Sequence, residues 1–236
     1  MADGHTMKMI TTDTQGVGKN RNFALAFARG DILVFADDDL RYENEYTQII
    51  SRAFEEFPIA EMIVFGIRYE KDGKPLKIRL PETGRLSFFK ALRYGTCAIA
   101  IRREAVLKYN LRFSELFGGG CLYSYGEDTD FIVQCFRKHL RIYSYHAIIA
   151  TTSKDTSTCY TGYGGKYFFD KGALARHTMG IMAIPYMFRM ANKALESDLN
   201  KRQRLRFLWS GYKSFPRLLT YQSWVADSNE ENNHRQ

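Results

Sequence analysis

Three consecutive carboxylates, Asp37, Asp38 and Asp39, follow a short apolar run at residues 32–36. Like charges resist crowding and burial, so a triplet of this kind calls for a positive neighbour. Alternate residues of an extended chain point the same way, so Asp37 and Asp39 can converge while Asp38 points elsewhere. Two converging carboxylates suit Mg²⁺ or Mn²⁺, which favour oxygen ligands and share them with substrate phosphates. The plain structural alternative is a solvated loop with an N-cap for the next helix.

A second acidic cluster stands in YGEDTDF, residues 125–131, where Gly126 precedes Glu127, Asp128 and Asp130 at a helix start. Acids in a first helical turn gain from the helix dipole, and a carboxylate at a glycine-fronted helix mouth can equally serve as a general base towards a hydroxyl. The local pattern leaves both readings open. A third stretch, GVGKNRN at residues 16–22, is a glycine turn feeding a helix and carrying Lys19 and Arg21. Backbone N–H groups at such a turn, with an arginine nearby, can hold phosphate, and a simple turn with surface charges is the alternative.

These residues need elements to position them. Residues 7–11 read as a short strand, and the Gly16-Val17-Gly18 turn leads into a helix through NRNFALAFARG. Residues 32–36 and 60–67 have the length and apolar continuity of buried strands, with a helix at 42–57 between them. Strand, helix, strand, helix, strand predicts an α/β sandwich with a mostly parallel central sheet. Beyond it the pattern predicts a hairpin turning at Asp72-Gly73, a helix at 85–94, a strand at 97–101, a helix at 127–139 and a strand near 140–145. If 32–36 is a parallel strand, the three aspartates lie beyond its carboxyl end, where open α/β sheets bind ligands. From Lys166 the chain becomes helical and basic, and its polar end reads as disordered.

Composition narrows the function classes. The 236 residues carry 34 Lys and Arg against 26 Asp and Glu, a formal charge of +8 at pH 7, which points to an anionic partner. The basic residues are spread along the chain and rise in KRQRLRF at 201–207 without forming a nucleic-acid motif, so an anionic membrane surface is expected and nucleic acid is not. Cys97, Cys121, Cys135 and Cys159 form no CxxC pair and no zinc-ligand spacing, as expected of reduced thiols in the cytoplasm. The first residues show no secretory pattern, and no apolar run has the length of a membrane span. The expected place is cytoplasmic, peripheral on the inner face of the plasma membrane.

In combination the motifs carry a resemblance. GVGKNRNFALAFARGDILVFADDDL resembles the central signature of glycosyltransferase family 2, the inverting GT-A enzymes: a glycine turn, an Arg-Asn pair, an Ala-x-Gly-Asp step and a strand ending in Asp-x-Asp. LRFSELFGGG followed by YGEDTDF resembles the family's acceptor-side loop and Glu-Asp motif. TSTCYTGYGGKYFFDKGAL, residues 156–174, is similar to a segment of bacterial members that build surface polysaccharide. The likeness spans roughly residues 7–175, and the ordered combination is specific where each motif alone is not.

The resemblance implies a GT-A-like domain over 1–175, a basic helical extension over 176–222 and a disordered tail over 223–236. It implies that Asp37 and Asp39 hold a divalent metal, Mg²⁺ or Mn²⁺, bridging the donor's diphosphate, with Asp38 in the variable middle place. Gly16, Arg21 and Asn22 would lie beside the nucleotide. Asp128 would be the catalytic base, with Glu127 positioning the acceptor or sharing that role. His146 falls near a further metal position of some GT-A enzymes, or is a structural histidine. Tyr160, Tyr163 and Lys166 would face acceptor or donor phosphate, or pack.

The implied activity is hexosyltransferase-like: an inverting, metal-dependent transfer from a nucleotide sugar, with a UDP-sugar expected, to a glycan or lipid-linked acceptor in surface-polysaccharide synthesis. Family members place a strand, helix and strand ahead of the segment that opens this chain, so the uracil-binding half of the site is expected to be absent. An inactive remnant that binds glycan or a partner protein is the alternative in a different class. A metal-dependent phosphohydrolase would use the same acids but leaves the Arg-Asn and Glu-Asp motifs together without a role.

Overall fold

The computed structural model describes residues 7–153 and 162–233. Residues 7–11 take no regular structure there, in place of the expected strand. Helix α1, Val17–Phe27, leads to β1, Ile32–Val34, and a tight turn after Asp37 reverses the chain into β2, Leu40–Tyr42. Helix α2, Tyr46–Glu56, returns to β3, Met62–Lys71, whose Met62, Ile63, Val64, Phe65 and Ile67 are wholly buried. Asp72 and Gly73 both adopt positive φ, 50° and 69°, the pair of angles a two-residue hairpin turn needs. They join β3 to β4, Lys74–Arg79, an exposed edge strand.

The short β5, Gly84–Arg85, and helix α3, Phe88–Ala91, occupy the segment expected to be one helix. Strand β6, Ile99–Arg102, helix α4, Arg103–Tyr109, helix α5, Glu127–Arg137, and strand β7, Ile142–Ser153, complete the sheet layer.

The mostly parallel sheet is corrected by the pairings. Among the described residues β3–β7 is the one parallel pair, while β1–β6, β2–β7, β3–β4, β3–β6 and β5–β7 are antiparallel. The path across the sheet is β1-β6-β3-β7-β2. Because β6 is antiparallel to both β1 and β3, those two strands do run in one direction, as strand-helix-strand alternation implies. They are not neighbours, however: β6 lies between them. Apolar periodicity reports that a strand is buried and is silent about which strand lies beside it.

The C-terminal helices are α6, Gly165–Thr178, α7, Ala183–Ala191, α8, Lys201–Ser214, and α9, Tyr221–Asn233. Helix α6 runs through the boundary expected at residue 175, and α9 lies in the segment expected to be disordered. Phe168, Ala175, Met187 and Leu208 form one apolar cluster that ties α6, α7 and α8 together. Helices α6 and α8 touch at backbone level. A Cβ on Gly172 would stand 1.9 Å from the Leu208 carbonyl oxygen, and one on Gly211 1.9 Å from that of Phe169. No helix of the described residues is long and apolar enough to cross a membrane.

Candidate active site

The end of β1, the start of α1 and the start of α5 meet on an aromatic platform. Phe35, just past β1, stands edge-on to Phe113 at 5.1 Å and to Phe131 of α5 at 5.6 Å. Phe113 and Phe131 stack at 4.3 Å. Asn22 fixes the Phe113 backbone from both sides: its amide N–H donates to the Phe113 carbonyl at 2.9 Å, and its Oδ1 accepts from the Phe113 N–H at 2.8 Å. Those bonds commit to the fold a side chain expected beside a nucleotide. The adjacent Arg21 lies over the Phe113 ring, 5.2 Å from its centroid.

Arg21 is the positive neighbour that the aspartate triplet called for. Its guanidinium donates to Asp37 Oδ1 at 2.7 Å and to Asp128 Oδ1 at 3.2 Å, and stands 3.7 Å from Glu127 Oε1. Only 12% of its side chain is exposed, and burial works against its charge. Asp128, Asp37 and Glu127 together overcome that penalty and raise its pKa further. One arginine thereby joins two acid clusters that the sequence showed only separately.

Glu127 lies under the opposite pressure. Burial and the neighbouring Asp128 outweigh the attraction of Arg21 and push its pKa up to about 7. Its Oε2 accepts from the Gly126 N–H at 3.2 Å. Asp128 is held from a second side by Thr96, whose buried hydroxyl donates to Oδ1 at 2.7 Å. The other oxygen, Oδ2, approaches so near the Gly95 backbone that a Cβ there would stand 2.9 Å from it. Any side chain at residue 95 would displace the carboxylate.

These groups open into a cleft of about 1760 Å³, lined among others by Gly16, Arg21, Asp37, Asp38, Asp39, Glu127 and Asp128. Asp38, expected to point elsewhere, lines it as well. Asp39 accepts from the Thr152 hydroxyl of β7 at 3.2 Å. Neither acid cluster caps a helix by its side chain: α2 starts after Glu45 and α5 after Gly126, each with no side-chain cap bond. At the N-terminus of α1 the Val17 N–H is already taken by the Gly119 carbonyl at 2.9 Å.

Among the described residues, no group of three or more His, Cys, Asp or Glu side chains gathers as a metal cage. What Asp37 and Asp39 offer is a pair of cleft-lining carboxylates, the kind of site that leaves most of the coordination of Mg²⁺ to water and phosphates. His146 is not brought to them. It sits on an exposed stretch of β7 outside the cleft lining, its N–H donating to Thr83 Oγ1 at 2.9 Å and its Nδ1 to the Pro81 carbonyl at 2.8 Å.

Further residues fall elsewhere than their types suggested. Lys166 donates to Asp170 Oδ2 at 2.6 Å and to Ser124 Oγ at 2.8 Å, tying α6 to the loop that enters α5. Tyr163 packs edge-on against Tyr167 at 5.0 Å. Tyr160 and Cys159 lie outside the described residues. Lys171, five residues beyond Lys166 on α6, lines the cleft instead and feels the charges of Glu127 and Asp128. Sequence reasoning missed Thr96, Gly95 and Lys171: a single hydroxyl, glycine or lysine inside a folded segment carries no spacing signal. Cys97 also faces the cleft, but burial and the charges of Asp128 and Asp37 push its thiol up to about 12, far from a thiolate nucleophile.

Residues 2–109 match the model of glycosyl transferase family 2. That match takes in Arg21 and the three aspartates and ends before Glu127. No curated protein matches the chain. Among solved structures, S. aureus TarS 1-349 in complex with UDP-GlcNAc is similar with a TM-score of 0.56 at 15% identity, over 92% of this chain and 61% of that one. S. aureus TarS 1-349 alone gives a TM-score of 0.53 at 15% identity, over 88% of this chain and 53% of that one. A further TarS structure gives 0.51 at 14% identity, over 83% of this chain and 30% of that one. At such identities the likeness is one of fold. The chain spans at most about three-fifths of the length of these TarS chains.

Proposed function

We propose that this chain is an inverting glycosyltransferase that moves a sugar from a UDP-sugar to a hydroxyl of a glycan or lipid-linked acceptor, in the making of a bacterial surface polysaccharide. The observation that carries the reading is Arg21, which holds Asp37 of one acid cluster and Asp128 of the other beside one cleft. The family match over residues 2–109 and the fold shared with a TarS that binds UDP-GlcNAc support it.

In this reading Asp37 and Asp39 would hold Mg²⁺ or Mn²⁺, which neutralises the charge building on a departing diphosphate. Asp128, oriented by Thr96 and Arg21, takes the proton of the acceptor hydroxyl. The acceptor oxygen forms its bond to the anomeric carbon from the face opposite the leaving group. The bond from that carbon to the diphosphate oxygen breaks, its electron pair leaves with the nucleoside diphosphate, and the configuration inverts. Glu127, with its pKa raised to about 7, exchanges a proton near neutrality and orients the acceptor beside Asp128.

Calorimetric titration with UDP, with and without Mn²⁺, on the wild type and on Asp39→Asn tests this. Binding that requires Mn²⁺ and is lost in the variant is the expected result. A folded wild type that binds no UDP under either condition sinks the reading and leaves a remnant that binds glycan or protein.

A lipid-linked acceptor would be met at a membrane surface. Ile181, 93% exposed, with Ile184 and Phe188 of α7, forms the apolar patch that would rest there. Flotation with phosphatidylglycerol vesicles is expected to carry the wild type up and to lose Ile181→Ser/Phe188→Ser; equal flotation of both removes this face from consideration.

A further inference from the structure

The cleft is polarised. Five cations line it away from any acid partner: Lys77 and Arg79 from β4, Arg93 after α3, Arg189 from α7 and Lys193 just beyond it. None of the five makes an ion pair among the described residues. Desolvation lowers the pKa of Lys193 below the ordinary lysine range, and the positive charges of Arg79, Arg189 and Lys77 add to it. Arg79 is fixed in place, donating to the Arg93 carbonyl and lying 5.4 Å over the Tyr69 ring.

Like charges from three separate segments repel, so their convergence in one cleft is an unpaid electrostatic debt in the free protein. An anion bound among them would relieve it. Lys171 lines the same cleft, where the charges of Glu127, Asp128 and Lys193 all reach it. Phe89, 57% exposed, and Tyr94 line the same cleft and offer ring faces on which a sugar can stack.

We propose that Lys77, Arg79, Arg93, Arg189 and Lys193 form a subsite for an acceptor chain that carries phosphate groups, placing its hydroxyl towards Asp128. This rests on the transferase reading for the word acceptor; the anion site itself does not. Phosphate can also come from the donor's diphosphate. The acceptor is favoured because the donor reading places its diphosphate with Asp37 and Asp39, carboxylates that need a bridging cation, whereas the five cations need none.

The test is titration of the metal-free protein with sodium tripolyphosphate, beside titration with UDP and Mn²⁺ and flotation with phosphatidylglycerol vesicles. The proteins are the wild type, Lys77→Gln/Lys193→Gln and Arg189→Gln/Lys193→Gln, with near-ultraviolet circular dichroism reporting the fold. The three positions changed are exposed, and neither pair removes the Arg79 bond. The expected result is tripolyphosphate binding that weakens about tenfold or more in each pair and falls with salt, while UDP affinity stays within about twofold. Unchanged tripolyphosphate affinity overturns the site. UDP affinity falling in step assigns the cations to the donor and overturns the acceptor subsite. A loss confined to vesicle flotation assigns them to a membrane and overturns it as well. A wild type that binds tripolyphosphate but no UDP separates the two ideas: the transferase reading fails and takes the acceptor with it.

Discussion

Arg21 and Asp128 meet at 3.2 Å although 107 positions separate them in the chain. The same guanidinium reaches Asp37 at 2.7 Å, so one buried cation balances carboxylates from the end of β1 and the start of α5. Replacing it exposes what it balances.

Arg21→Met removes the cation but keeps an unbranched side chain over Phe113. The carboxylates of Asp37, Glu127 and Asp128 would then face one another without a counter-charge. Because these partners are part-exposed, the cost falls below that of a fully buried pair, at about 1–3 kcal/mol. Urea denaturation is the measurement, and a midpoint equal to the wild type's would show that Arg21 balances nothing.

The raised pKa of Glu127 has a stability signature. Its value is about 7 in the folded chain against an ordinary 4.5, so the folded state binds more protons between those values. Stability contributed by protonated Glu127 is therefore fully present below the unfolded value and is lost as pH rises through about 7. Glu127→Gln should flatten that fall and gain on the wild type in melts at pH 8. Parallel pH profiles in the two proteins would place the burial elsewhere.

Thr96→Val keeps the shape of a buried side chain and deletes the donor to Asp128. Asp128 would lose one of the two groups that orient it, a loss of about 1 kcal/mol at that bond. Under the proposed function, the expected kinetic effect is a several-fold drop in kcat for sugar transfer with UDP affinity unchanged. A rise in KM alone, with kcat intact, would show that Thr96 serves binding rather than the base.

Gly172→Ala and Gly211→Ala test the helix contact beneath the site. Alanine raises intrinsic helix propensity by about 1 kcal/mol over glycine. Against that gain stands a Cβ 1.9 Å from the opposing carbonyl oxygen, which forces α6 and α8 apart. Separation is expected to win, with net destabilisation of about 1–3 kcal/mol in thermal melts of either variant. Higher melting temperatures in both would mean that the helices part without loss.

The sequence by itself determined the local chemistry. Three aspartates after an apolar run, a glycine before Glu127 and Asp128, an Arg-Asn pair on a helix and the Asp72-Gly73 hairpin were all legible, because each depends on neighbours a few positions apart. The tertiary structure decided which of these meet. It put β6 between β1 and β3 and so turned an expected parallel sheet into a largely antiparallel one. It used Asn22 to hold Phe113, set His146 outside the cleft, brought Thr96 under Asp128, and brought Lys171 and the cations of β4 and α7 to the cleft. The physical reason is that periodicity along a chain encodes which face is buried, whereas the partner covering that face is set by packing between segments far apart in sequence.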